Sequence, residues 1–225
     1  MAKRVCESVY LVGGGGLSDP RDCLVYLLDL GELVLIDCGA GPGWPRIADH
    51  IHSIGRDPAE VHTLVLTHAH VDHIGAASQV KAVSGCRVVA HALDAPVVER
   101  PDPERTAASW YGLVLPAVEV DLVVEAPRHR LELRGGSVEL IHTPGHTPGS
   151  LVALTDTPDG HRVLFGQDIH GPFHPAFDSD LPRWRRSMDE LLGLGADILC
   201  EGHYGVFHGA EAVRSFIEEH LALNA

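Results

Sequence analysis

Residues 67–73 read T-H-A-H-V-D-H, so His68, His70, Asp72 and His73 crowd four metal-ligating side chains into six positions, directly after the apolar run 61–66. Burying an unpaired polar group costs several kcal/mol, on the order of 2–7. Four of them behind an apolar run therefore demand a fold that gathers a common partner around them. Imidazole nitrogen and carboxylate oxygen are both ligands for zinc or iron. Alternation at 68, 70 and 72 suits side chains leaving an extended segment or tight loop toward one point, and His73 leaves in another direction. Two directions imply two neighbouring metal ions, with 68 and 70 on one and 72 and 73 on the other.

The chain has 16 histidines in 225 residues, so isolated ones carry little weight. His50, His52, His62, His91, His129 and His220 are expected to be structural or exposed. The length suits one domain over 1–225 with a large core. Apolar runs are a few residues long and broken by charge or glycine, and no apolar stretch of signal-peptide length precedes Gly13. A cytoplasmic protein without membrane association is the expectation. Cys6, Cys23, Cys38, Cys86 and Cys200 form no C-x-x-C pair and read as buried thiols. A net charge of −14 argues against a nucleic-acid partner, because that binding rests on basic surfaces. A small-molecule substrate is expected, and oligomeric state is left open.

Strand-like segments at 8–12, 23–29 and 33–37 are separated by Gly13–Gly16 and a Leu30-Gly31-Glu32 turn, and read as consecutive antiparallel strands. No Gly-Lys-Ser/Thr follows the four glycines, so they suit a hairpin or site-flanking loop rather than a phosphate cradle. Helical spacing at 44–54, 76–83 and 92–100 alternates with strands at 61–66 and 86–90, which puts the histidine cluster on a strand-to-helix loop. Residues 101–118, with Trp110 and Tyr111, form a candidate lid. Strands return at 121–125, 131–133, 138–142, 150–155 and 163–165, followed by a helix at 183–192, a strand at 197–200 and a helix at 210–221. Two series of strands, each followed by helices, indicate a layered α/β protein.

One loop under-coordinates a metal pair, and further ligand types stand at other strand ends. His146 lies in H-T-P-G-H-T-P-G-S, where Pro144, Gly145, Pro148 and Gly149 dictate a rigid turn. Asp168 ends the run 163–167, and His203 follows 198–202.

With these residues in place the chain resembles the metallo-β-lactamase fold superfamily of metallohydrolases. The resemblance covers nearly the whole chain and rests on I-D-C-G-A at Asp37, H-x-H-x-D-H at 68–73, and the later His146, Asp168 and His203. Cys38 departs from the threonine common after that aspartate. The resemblance implies a four-layer αβ/βα sandwich of two mixed β-sheets flanked by helices, with the metals at one sheet edge. It also implies that His68, His70 and His146 bind a first metal and Asp72, His73 and His203 a second, with Asp168 bridging. Asp37 would then be an acceptor that orients a ligand histidine. The implied cofactors are two Zn2+, with one Fe2+ or a mixed Zn/Fe pair as the alternative.

Paired metals acidify a shared water and present a hydroxide at pH 7. The expected activity is hydrolysis of a small thioester, lactone or related ester, with Asp72 orienting the nucleophile or handling its proton. Tyr204 and Tyr111 are candidate donors to an oxyanion. H-T-P-G-H-T-P-G-S is similar to that of glyoxalase II-like thioesterases and of lactonases alike. The rival from another class is an iron oxidoreductase resembling persulfide dioxygenases, holding one iron with His68, His146 and Asp168. A nuclease is disfavoured by the acidic charge. Arg183, Arg185 and Arg186 are expected to be a solvated patch, and His170 and His174 surface loop histidines.

Overall fold

The computed structural model describes residues 1–224. Strands β1 (Lys3–Cys6), β2 (Val9–Gly13), β3 (Val25–Asp29), β4 (Leu33–Ile36), β5 (Val61–Val65), β6 (Arg87–His91) and β7 (Leu122–Val124) form a seven-stranded sheet in chain order. β1 to β4 are antiparallel and β4 to β7 are parallel. The change follows the connections, because a short turn reverses the chain whereas parallel neighbours need a long crossover. Helices α1 (Trp44–Ser53), α2 (Val71–Ile74), α3 (Ala77–Ser84), α4 (Ala95–Glu99) and α5 (Ala108–Tyr111) all lie in those crossovers.

The second sheet contains β8 (Arg128–Leu133), β9 (Gly136–His142), β10 (Leu151–Asp156), β11 (Arg162–Gln167), β12 (Ile198–Glu201) and β13 (Val206–His208) in spatial order β13-β12-β11-β10-β9-β8. Only β11 and β12 pair in parallel, joined through α6 (Leu181–Leu192), and α7 (Ala210–Leu223) closes the described chain.

Side-chain alternation makes four layers from these parts. Tyr26, Leu28, Val34, Ile36, Val65 and Val89 of the first sheet face Leu140, Ala153, Val163, Phe165, Ile198 and Cys200 of the second. Leu27, Leu35 and Leu64 turn to the opposite face and pack with Ile47, Ile51, Ala77 and Val80 of α1 and α3. On the far side of the second sheet, Ile141, Val152, Leu164 and Leu199 meet Trp184, Met188, Phe216 and Ile217 of α6 and α7. Two mixed sheets face to face with helices outside is the expected sandwich.

The departures from the sequence reading lie at edges. β1 and β13 were not expected, and β8 begins at Arg128 rather than 131. All three are edge strands whose partly exposed side chains remove the apolar alternation that a pattern search needs. α4 is shorter than the helical stretch 92–100. Segment 101–118 holds one helical turn, α5, in otherwise irregular chain. All five cysteines are free and buried. Among the described residues no helix is long and apolar enough to cross a membrane.

Candidate metal centre

β5 ends at Val65, and the chain delivers His68 and His70 from a loop before α2 carries Asp72 and His73. His146 comes from the turn between β9 and β10, Asp168 from the residue after β11, and His203 from the turn after β12. The first sheet supplies four of these side chains and the second supplies three. His68, His70, His146 and Asp168 each bring a ligand atom to one cluster, and Asp72, His73 and His203 to another, with the atoms in each within 4.8 Å of one another. All seven residues come together at one end of the sheets, and six of them are buried, His203 being the exception.

In the first cluster His70 Nδ1 lies 3.1 Å from His68 Nε2 and 2.9 Å from His146 Nε2. Two nitrogens on a tetrahedral zinc at ordinary bond lengths sit about 3.3 Å apart. In the second, His203 Nε2 is 3.4 Å from Asp72 Oδ2, and His73 Nε2 is 3.6 Å from the same oxygen. The Asp168 carboxylate stands between the clusters. Its Oδ2 faces His146 Nε2 at 3.5 Å and His68 Nε2 at 3.8 Å, while its Oδ1 faces His73 Nε2 and His203 Nε2, each at 3.2 Å.

The rings are held by their other nitrogens. His73 Nδ1 donates to Asp37 Oδ2 at 2.6 Å, and His146 Nδ1 donates to the Pro172 carbonyl at 2.7 Å. Thr67 Oγ1 donates to Asp37 at 2.7 Å, so it accepts from His68 Nδ1 at 3.2 Å. In each case the Nε2 lone pair is left to face the cluster, the arrangement by which outer partners fix a metal-binding tautomer. Asp37 also accepts from the Thr67 amide and from Gln167 Nε2, at 2.8 and 2.6 Å. It thus acts as the acceptor expected of it, and Cys38 beside it donates its thiol to the His73 carbonyl.

The electrostatics separate the two clusters. Burial holds His68 and His70 well below the ordinary imidazole value and His146 down to about 4, so all three offer neutral nitrogen. Burial also opposes charge on His73 and His203, but neighbouring groups outweigh it and push both up, Cys23, Asp168, Asp72 and Asp37 around His73 and Asp168 with Asp72 around His203. The carboxylates around the second cluster thus call for positive charge. His73 Nε2 and Asp168 Oδ1 are buried without a hydrogen-bond partner, although they face each other. Orphaned atoms of this kind are costly in a protein interior unless a cation takes their lone pairs. The donor set therefore fits a metal pair.

Three residues that the motif reading passed over support this geometry. Gln167 ties the end of β11 to Asp37. Asp94, before α4, accepts from the Ala69 amide at 3.0 Å, the Thr147 hydroxyl at 2.8 Å and the Gly149 amide at 2.9 Å, which joins the His68–His70 loop to the His146 turn. Phe177 lies with its ring centre 4.2 Å from that of His70. Gly145 has φ of +149°, and a Cβ there would come within 2.3 Å of Trp184 Cβ, so the turn packs against α6 only as glycine.

Other expected site residues are placed as follows. Tyr111 is half-buried, and burial, with the charges of Asp72 and Asp168, raises its phenol above the usual value. Tyr204 is 62 % exposed, with its ring against His170, Phe216 and His220. His170 is no free surface histidine: its Nδ1 lies 2.6 Å from the carboxylate of the fully buried Glu201. A carboxylate on a neighbouring strand has no signature in a single sequence. His174 sits in the loop before Phe177 and contacts Trp110. Arg183 and Arg186 are exposed.

The sequence profile described as "Metallo-beta-lactamase superfamily" matches residues 18–203. The chain is similar to "Probable metallo-hydrolase YflN" of Bacillus subtilis, with 28 % identity over 218 residues covering 80 % of this chain and 79 % of that protein. It is 35 % identical over 89 residues to "Hydroxyacylglutathione hydrolase GloC" of Haemophilus influenzae, covering 39 % of this chain and 41 % of that one. Among solved structures, a variant of a metallo-β-lactamase from Cronobacter sakazakii superposes with a TM-score of 0.83 over 99 % of this chain and 94 % of that chain, at 22 % identity. Sequence profile and fold agree, and the chain belongs to the metallo-β-lactamase superfamily.

Proposed function

We propose that the chain is a hydrolase of small thioesters, lactones or related esters, working with two zinc ions. The observation that carries this reading is the Asp168 carboxylate, each oxygen of which faces the histidines of a different cluster. His68, His70 and His146 would hold the first ion, Asp72, His73 and His203 the second, and Asp168 both. Bound there, the ions supply Lewis acidity and a water acidified to near neutrality.

The chain's own residues do the rest. Asp72, buried at the first turn of α2, would orient the attacking water and take its proton. His203 has a side chain one-third exposed and marks the open side by which substrate arrives. Tyr111, a neighbour of Asp72 on the segment 101–118, would act from a lid and donate to the oxyanion of the attacked carbonyl. Tyr204 stands further out and would donate to a group nearer solvent. The likeness to a hydroxyacylglutathione hydrolase over part of the chain supports a thioester substrate. The net charge of −14 supports a small-molecule substrate over nucleic acid, and five free buried thiols suit a reducing compartment.

Metal analysis of the purified protein combined with a panel of thioesters, lactones and persulfides tests this reading. Two zinc ions per chain and hydrolysis lost in both His68→Ala and Asp168→Ala are the expected outcome. One iron per chain, with oxygen uptake on glutathione persulfide, would overturn it in favour of an oxidoreductase.

A further inference from the structure

One side of the metal centre is an aromatic wall for which the metal chemistry has no use. Phe177 is 3 % exposed, and its ring centre lies 4.2 Å from that of His70 and 6.2 Å from that of His146. Trp110 packs against Phe177 at 4.9 Å and against His174 at 5.1 Å, and His174 is 5.5 Å from Phe177. Trp110 nevertheless remains 52 % exposed.

Two contacts run from the segment before α5 to its surroundings. The Val71 amide, at the start of α2, donates to the Thr106 carbonyl at 2.8 Å. Arg105 pairs with Asp178 at 3.2 Å, which fastens the chain before α5 to the turn that carries Phe177. On α5 itself, Tyr111 is neighbour to the charged cluster while Trp110, one residue earlier, meets the aromatic rings. Polar and apolar recognition thus lie side by side on one helical turn.

A large apolar side chain held half in water beside a reactive centre retains free energy that a ligand can collect. Aromatic rings suit this task because little conformational entropy is lost when a ligand covers them. Trp110 and His174 are the exposed members of this wall, and Phe177 backs them against His70.

We infer that Trp110 and His174, backed by the buried Phe177, form a subsite for an apolar acyl group, so that the preferred substrate is a thioester, ester or lactone with a hydrophobic chain or ring. The assignment rests on the hydrolase reading for the identity of the reacting bond, and on the aromatic wall for the rest.

Two measurements test it. In the first, kcat/KM is compared for octanoyl and acetyl thioesters of one thiol. The octanoyl substrate is preferred by the native protein, Trp110→Ala reduces the octanoyl-to-acetyl ratio about tenfold through KM, and Trp110→Phe recovers most of it. Equal use of the two substrates, or a ratio unchanged in Trp110→Ala, would overturn the subsite. In the second, tryptophan fluorescence is titrated with octanoate and with acetate. Trp44 and Trp184 are 6 % and 1 % exposed, so a saturable change with octanoate reports Trp110 and is absent from Trp110→Phe. No change with octanoate counts against the subsite whatever the enzyme hydrolyses. Saturable octanoate binding without hydrolysis of any ester supports the subsite and refutes the hydrolase reading alone.

Discussion

Asp94 and Asp37 are each buried with a carboxylate that serves only donors of the chain. Asp94 takes three, from Ala69, Thr147 and Gly149, and in doing so spans from the His68–His70 loop to the His146 turn. Removing its carboxylate leaves the Ala69 and Gly149 amides buried without a partner, at about 1–3 kcal/mol each before relaxation, and leaves the Thr147 hydroxyl with Ser150 alone. Asp94→Ala is therefore expected to lower unfolding free energy by about 3 kcal/mol and metal affinity ten- to a hundredfold. Denaturant unfolding and competitive chelator titration check this, and an unaltered metal affinity would reduce Asp94 to a purely structural residue. The ligand-type residues themselves were legible in the sequence because they stand in a dense motif or at the ends of apolar runs. Asp94, Gln167 and Phe177 were not, because a lone acid, amide or phenylalanine acquires its role only from what another segment brings to it.

At the scale of elements, β6 and β9 belong to different sheets, yet they end in His91 and His142, whose rings stack 3.7 Å apart at 13°. Leu93 donates to His91 Nδ1, which puts the His91 proton on Nε2, a buried atom without a partner. Burial, with the charge His142 would carry, lowers the His91 pKa to about 4. The unfolded chain, with an imidazole near 6.5, binds that proton more readily. Stability from this group is therefore complete above about pH 6.5 and lost as the pH falls through about 4, a loss of no more than about 3 kcal/mol. His91→Phe keeps a stacking ring without the titration, and the acid limb of a plot of Tm against pH is expected to flatten. The same slope in both proteins would assign it elsewhere. His91, expected to be structural or exposed, is buried and stacked. Most core elements were equally legible from apolar period and turn chemistry, whereas the edge strands β1 and β13 were not, since their pairing shields few side chains from water.

Across the whole molecule, the candidate ligands cross-link the two sheets: four come from the loops of the first and three from those of the second. A metal that binds only the folded chain adds stability by mass action, about 4 kcal/mol at a thousand times its Kd. For a domain of this size each kcal/mol moves Tm by roughly 2–4 °C. Calorimetry with and without a strong chelator is expected to show a fall of about 10 °C, reversed by zinc, and a Tm insensitive to the chelator would contradict a metal shared between the sheets. From the sequence alone follow the α/β layering, the H-x-H-x-D-H loop and the separate strand ends at 146, 168 and 203, because apolar periodicity and ligand chemistry are local properties of the chain. A bridging Asp168 and an orienting Asp37 are implied by the resemblance, but only the tertiary structure decided that Asp94 and Gln167 hold the clusters in place and that Trp110 and Phe177 wall one side. These are relations between segments dozens of residues apart, and they exist only once both sheets have packed on their shared core.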